Sequence, residues 1–310
     1  MRADDQGTTA MSRRVQVFRV DAFCRQPFAG NPAAVVPDAR ELNEAEMQAL
    51  ARELGGVDVA FVLPPGSDDH DLQLRFFTPR AETGFVGHAT IAAHAVLEAL
   101  GLPPCPRQQQ RSGMVEIERL DGAAGRQYAF SQPPPPATGA LSAERLSAML
   151  SALGLAADDL DPQLPAVLAG SGASRALIAV RSGATLARLQ PDDVALVALT
   201  AAGNPSGYFV YTLAPEPRDC DTEARMFCPA IGIREDPVSG NAHALLAAHL
   251  HALGKMPGAP GALEFTGRQG HHLGRPGILT VRIEIAGGAL HRVRVAGAAV
   301  IMMDAHIELP

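Results

Sequence analysis

Residues 75–101 read RFFTPRAETGFVGHATIAAHAVLEALG, and residues 225–254 read RMFCPAIGIREDPVSGNAHALLAAHLHALG. The two stretches follow one plan. Each opens with R-x-F-x-P, at Arg75 and at Arg225, a displacement of 150 positions. Each continues to a Gly-x-Ala tripeptide, Gly87-His88-Ala89 and Gly240-Asn241-Ala242, which starts an alanine-rich helix closed by Leu-Gly, now displaced by 153 positions. A three-residue insertion between strand and helix accounts for the difference. One strand, one proline-containing loop and one glycine-led helix in each half predict two similar α/β domains related by a pseudo-twofold axis. The cleft between them is the natural place for a ligand.

Working outward, apolar alternation from Val15 to Phe23, the turn-rich PFAGNP and the run from Ala33 to Val36 predict a hairpin-like pair of strands. A helix is expected over 41–54, stopped by Gly55-Gly56, then strands over 57–63, 72–77 and 114–120 around a helix over 89–100. In the second half the patterns predict helices over 141–153 and 242–253 and strands over 176–180, 206–213, 279–285 and 291–301. The segment SQPPPP, residues 131–136, is expected to cross between the halves, because proline suits neither a helix interior nor a central strand. The expected domains are therefore 14–130 and 131–310, after an unstructured leader over 1–13, with a last strand over 299–309 able to return to the first domain.

Composition bounds the function. The chain has 310 residues, 47% hydrophobic and 19% charged, enough for real cores and too apolar for overall disorder. Its charge of -7 comes with scattered basic residues, which makes nucleic acid and anionic membranes poor partners. The polar N-terminus lacks a signal-peptide core, and no window approaches the roughly 18 apolar residues that span a bilayer. Four cysteines, Cys24, Cys105, Cys220 and Cys228, form no CxxC pair, so a reduced, cytoplasmic protein is expected.

The two glycine-led helix starts carry the chemistry. A glycine there lets a ligand approach the backbone, and the first free N–H groups with the helix dipole attract a carboxylate or phosphate. Gly87, His88 and Ala89 with Gly240, Asn241 and Ala242 are thus an expected anion-binding pair; ordinary capping is the plainer reading of either one alone. His88 is placed to donate to a substrate or shuttle a proton. Asp236, in EDPVSG just ahead of the second helix, is read as a group that positions substrate or as an N-terminal cap. Asp58 lies in an otherwise apolar strand entrance, where burial would raise its pKa and suit it to acid–base work; a satisfied structural carboxylate is the alternative.

No metal is expected, since His88/His94 and His243/His249 are six apart and fall on different helix faces. The sequence holds no G-x-G-x-x-G, Walker loop or G-x-S-x-G elbow. Cys228 stands opposite Thr78 in the repeat, so no matched pair of thiols exists, and a core or loop cysteine is expected.

Four blocks in order, VDAFCRQPFAGNPAAVV (20–36), ARELGGVDVAFVL (51–63), RFFTPRAETGFVGHATIAAH (75–94) and MFCPAIGIREDPVSGNAHALLAAHL (226–250), resemble the PhzF-like family, named for the phenazine-biosynthesis isomerase. The resemblance implies the diaminopimelate-epimerase fold, two domains each wrapping a sheet around a central helix. It implies a cofactor-independent homodimer that moves a proton on a small carboxylate-bearing molecule, as in trans-2,3-dihydro-3-hydroxyanthranilate isomerisation. By that resemblance the block around Asp58 holds the acid/base, His88 and Asp236 contact polar groups of the substrate, and the backbone after Gly87 and Gly240 holds its carboxylate. The sequence departs from the family in two places. Asp58, after Val57, replaces the usual glutamate, shortening the side chain by roughly 1.5 Å, and a misplacement of about 1 Å can cost on the order of 100-fold in rate. That substitution leaves open a differently placed substrate, a weak enzyme or a lost activity. Asn241 stands where serine is common, and the helix starts carry His88 and Asn241 in place of the thiols of two-cysteine epimerases. A proton-moving isomerase is the leading expectation; a binding protein without turnover and a two-base racemase or epimerase are the alternatives.

Overall fold

The computed structural model describes residues 13–122, 125–136, 139–170, 174–259 and 261–309. The expected leader lies outside them except for Arg13, which opens the first strand. The first half contains β1 (Arg13–Ala22), β2 (Asn31–Val36), α1 (Glu44–Leu54), β3 (Asp58–Leu63), β4 (Leu72–Phe77), β5 (Glu82–Thr83), α2 (Gly87–Ala99), β6 (Arg107–Gln110), β7 (Gly113–Gly122) and β8 (Gly125–Gln132). The second contains β9 (Gly139–Ala140), α3 (Ala143–Leu153), β10 (Val167–Ala169), β11 (Arg175–Ala179), α4 (Gly183–Ala187), α5 (Asp193–Ala201), β12 (Gly207–Thr212), β13 (Thr222–Cys228), β14 (Ile233–Asp236), α6 (Gly240–Ala252), β15 (Glu264–Gln269), β16 (Gly277–Ala286) and β17 (Ala289–Gly297). A final strand, β18 (Ala299–Leu309), pairs antiparallel with β1 from Ala22↔Ala299 to Arg13↔Leu309.

The repeat seen in the sequence is a repeat of strand pairing. Strand β2 runs parallel to β3, β3 antiparallel to β4, and β4 parallel to β6; β11, β12, β13 and β15 repeat this order and these directions. The two copies join along β8 and β17, equivalent strands that pair antiparallel from Gln132↔Val293 to Tyr128↔Gly297, as a twofold axis between them requires. The R-x-F motif has a structural cause in both halves. Arg75 grips Glu82 through Nε at 2.8 Å and a second nitrogen at 2.9 Å, with its guanidinium 5.2 Å from the Phe77 ring centre. Arg225 grips Glu235 at 2.9 and 2.8 Å and lies 5.0 Å from the Phe227 ring centre. Fork geometry and an aromatic seat together explain why arginine stands at both positions.

Helices α2 and α6 are apolar on all sides, and each is wrapped by its own half-sheet, which is what such a helix requires. Ala89, Ala92, Ala93 and Val96 of α2 meet Val20, Val35, Ala60, Leu74 and Phe76, while Ala242, Leu245, Leu246 and Leu250 of α6 meet Phe209, Met226, Phe265 and Val281. Alanine dominates because the sheet closes tightly on the helix. The outer faces are covered by α1 in one half and by α3, α4 and α5 in the other.

Three local expectations are corrected. Ser131 and Gln132 do not cross between halves: they belong to the central strand β8, paired to β17, and only the proline run that follows leaves the sheet. The reason is that both residues retain backbone N–H groups that the prolines lack. The single strand expected over 291–301 is two strands broken at Ala298, whose carbonyl accepts from Phe23 N at 2.7 Å. The first helix starts at Glu44 and not at residue 41, because Asn43 forms a reciprocal capping box with Glu46.

Candidate active site

Four polar side chains from separated parts of the chain come together where the two halves meet. Asp58 is the first residue of β3, set by the parallel register Ala33↔Asp58. His88 is the second residue of α2, and its Nε2 lies 3.6 Å from Asp58 Oδ2, an ion-pair distance and not a hydrogen bond. Both side chains are nearly enclosed, at 17% and 13% exposure. Asp236 ends β14, and its Oδ1 accepts from Asn31 Nδ2 at 2.7 Å. The same Asn31 nitrogen donates to Val238 O at 2.9 Å, so one amide at the start of β2 fixes the acid loop of the opposite half.

The loop carrying Asn31 is itself clamped from the second half. Arg275 donates to Asp21 Oδ1 at 2.6 Å, to Ala29 O at 2.9 Å and to Gly30 O at 3.0 Å. Gly30 has φ +60, and a Cβ there would stand 2.0 Å from Ala22 O, so the turn before Asn31 demands glycine. On the other side, Gln269 donates to Asp236 O at 2.6 Å and accepts from Ser239 N at 3.0 Å.

Burial sets the protonation states. It pushes the Asp58 carboxyl up to about 6 and the His88 imidazole down to about 4, with Asp236 opposing the latter change. Burial also pushes Asp236 above the usual carboxylate range; His88 pulls it down, Asp58 adds to the rise, and Arg175 and the Asn31 hydrogen bond pull it down. At neutral pH the arrangement is an ionised Asp58 facing a neutral His88, with the protonated form of Asp58 only about a tenfold change in acidity away.

The glycine-led helix starts converge on one ring. A Cβ on Gly87 would lie 2.7 Å from Phe130 Cζ, and a Cβ on Gly240 would lie 3.2 Å from the same atom. Val86 offers no capping side chain to α2, whereas Ser239 Oγ accepts from Ala242 N at 3.3 Å in α6. Capping of α6 is therefore the work of Ser239 and not of Asp236. Ala89 and Ala242 are fully buried, and Asn241 is partly so.

Other candidates fall to structural roles. His94 bonds Gln108 at 3.0 Å and His243 bonds Ser239 O at 2.9 Å. Among the described residues no group of three His, Cys, Asp or Glu is arranged to hold a metal ion. Cys228 is buried, and burial pushes its thiol up to about 12. A surface cleft of about 370 Å³ between Asp193, Val194, Pro229 and Arg234 shares no residue with the acid cluster. No helix among the described residues is long and apolar enough to cross a membrane. Asn31 was not singled out by sequence reasoning; its signal is a polar residue directly ahead of an apolar strand, behind a glycine that the turn requires.

With this geometry in hand, comparison with known proteins places the chain. The sequence model of the phenazine biosynthesis-like (PhzC-PhzF) family matches residues 20–305. The uncharacterized isomerase YddE of Escherichia coli O157:H7 is 39% identical over 292 residues, covering 94% of this chain and 97% of that protein. An uncharacterized isomerase of Clostridium acetobutylicum is 31% identical, covering 96% of this chain and all of that one. Among solved structures, a PhzF-family protein of Bacillus anthracis superposes with a TM-score of 0.82 at 26% identity, over 95% of this chain and 99% of that one. A hydroxyproline epimerase of Agrobacterium vitis, 14% identical with a TM-score of 0.62, shares the fold. The chain belongs to the phenazine biosynthesis-like PhzC-PhzF family, and its curated relatives are named as isomerases.

Proposed function

We propose that this isomerase moves a proton on a small carboxylate-bearing, unsaturated substrate, with Asp58 as the single acid/base and without metal or organic cofactor. The observation that carries the reading is the Asp58 carboxyl, held near 6 by burial and 3.6 Å from a neutral His88 beside two converging helix N-termini. Asp58 as carboxylate removes a proton from a carbon conjugated to the substrate's carboxylate. The electron pair moves into the conjugated system, and the first-turn N–H groups of α2 (Gly87, His88, Ala89) and of α6 (Gly240, Asn241) meet the developing negative charge. The protonated Asp58 then returns the proton to a second carbon, so the substrate is isomerised with no net loss of atoms or electrons. His88, neutral, donates to a substrate oxygen or nitrogen, and Asp236, oriented by Asn31, accepts from a substrate N–H or O–H.

The shorter aspartate suits a substrate seated nearer to β3 than a glutamate would allow. The family resemblance further supports a cytoplasmic homodimer. Incubation in D2O with a panel of small carboxylates, including 2,3-dihydro-3-hydroxyanthranilate and several amino acids, followed by proton NMR, tests the reading. Enzyme-dependent loss of a C–H signal next to an unsaturated centre is expected. Binding detected by saturation transfer with no exchange in any bound compound would instead support a binding protein without turnover.

A further inference from the structure

The repeat breaks at one hairpin beside the site. Leu72 pairs with Gln108 as Thr222 pairs with Gly267, so Gln110 and Gln269 are mates, each the last paired residue before a turn. The register Gln110↔Gly113 leaves two residues, Arg111 and Ser112, to join β6 to β7. The register Gln269↔Gly277 leaves seven, 270–276, to join β15 to β16. The short turn meets its own half, where Ser112 N donates to Gly84 O at 3.3 Å. The long one crosses to the first half: Gly30 N donates to Pro276 O at 3.0 Å, and just past the turn Ile278 N donates to Phe23 O at 2.9 Å.

Arg275 is the side chain that grips what the loop reaches. Its guanidinium holds the Asp21 carboxylate and the carbonyls of Ala29 and Gly30, the two residues ahead of Asn31. The base of the loop is fixed as well: Arg275 N donates to Gly270 O at 3.0 Å, and a Cβ on Gly270 would lie 2.8 Å from Pro237 O. A Cβ on Gly277 would lie 2.4 Å from Val238 Cγ2 and 3.2 Å from Gly30 Cα, so the loop is wedged between the acid loop and the turn before Asn31. Asn31 closes the circuit by donating to Asp236 Oδ1 and Val238 O. A planar fork with fixed donor directions can hold a carboxylate and two carbonyls at once, which a lysine ammonium on a flexible stem does less well.

We propose that Arg275 is a positioning residue: acting through Asn31, it holds the Asp236 carboxyl where the N–H or O–H of the substrate arrives. The assignment rests on the role given to Asp236 above.

The test has two arms. In the first, the side-chain amide protons of Asn31, identified in NMR spectra by their loss in Asn31→Ala, are exchanged into D2O in wild type, Arg275→Lys and Arg275→Met. Exchange about 10-fold or more faster is expected in Arg275→Met, with Arg275→Lys in between and the backbone amides of β12 unchanged. Equal Asn31 exchange in wild type and Arg275→Met, or the same acceleration throughout β12, would overturn the assignment. In the second arm, kcat and KM for the carboxylate that exchanges in the D2O panel are compared across a double-mutant cycle. Arg275→Met is expected to lower kcat about 10-fold, more than it raises KM, and to have no further effect once Asn31 is alanine. An equal fall in both backgrounds would show Arg275 acting apart from Asn31 and would overturn the assignment too. Should Arg275→Met not fold, Arg275→Lys and Arg275→Gln carry the same comparisons. No exchange with any panel compound would count against the Asp58 reading and leave the amide exchange to decide the link between Arg275 and Asn31.

Discussion

Replacing Asp58 by asparagine should make the protein more stable at pH 8 while removing its chemistry. Burial raises the Asp58 carboxyl from an ordinary 3.8 to about 6. At about 1.4 kcal/mol per tenfold change in proton affinity, the ionised form is disfavoured in the native state by about 2 to 3 kcal/mol relative to the unfolded chain. Below pH 4 the carboxyl is protonated in both states and the penalty is absent. As pH rises from 4 to 6 the unfolded chain ionises first, so stability is lost through that window and stays lost above it. His88 acts in the opposite sense: its folded value of about 4 lies below the unfolded one, so its contribution is present above pH 6.5 and lost as pH falls. Burial dominates the His88 shift, so that contribution is largely common to both proteins, whereas Asp236, which Asp58 pushes up, is relieved in the variant and changes the difference in the same direction as Asp58 itself. The stability of Asp58→Asn minus that of wild type should therefore grow by about 2 to 3 kcal/mol between pH 4 and pH 8. The chain has no tryptophan, so urea unfolding would be followed by far-ultraviolet circular dichroism. A difference that does not change with pH would refute the claim that burial tunes this acid.

Three further outcomes follow from the same geometry. Gly87→Ala drives a methyl to 2.7 Å from Phe130 Cζ, so a loss of about 1 to 3 kcal/mol and of most turnover is expected, partly restored by Phe130→Leu; a fully active Gly87→Ala protein would show that the helix start need not admit the Phe130 ring so closely. Asn31→Ala leaves Asp236 Oδ1 and Val238 O without their shared donor, which should cost about 1 to 3 kcal/mol in thermal or urea melts and lower kcat more than it raises KM; unchanged kcat in a folded variant would free Asp236 from its proposed positioning. In the direction that begins with proton abstraction, kcat/KM should fall below about pH 6 as Asp58 gains its proton, and a profile flat from pH 5 to 8 would contradict this assignment.

The two-domain repeat was legible because it is written in residues that do local work. Arg75 and Arg225 each grip a glutamate and lie on an aromatic ring, and Gly87 and Gly240 each admit Phe130 against a helix start. Both are short-range demands that leave a motif. Asp58, His88 and Asp236 stood out because each is polar or charged at a position where its neighbours are apolar or turn-forming, and the fold draws the three together from separate segments. What the sequence did not reveal depends on contacts between distant segments. The pairing of Ser131 with Arg294, the break at Ala298 and the grip of Asn31 on Asp236 each join residues more than 160 positions apart or answer to such a joint, and no local pattern encodes them. Arg275 was equally silent: only strand register shows that its loop is longer than the mate between β6 and β7.

The most direct test of the central claim is the rate of deuterium uptake at pH 7.5 into whichever carboxylate the D2O panel identifies, measured for wild type, Asp58→Asn and Asp58→Glu. The account predicts a fall of about 100-fold or more in Asp58→Asn with binding retained, and measurable exchange in Asp58→Glu. Exchange by Asp58→Asn at the wild-type rate would contradict it.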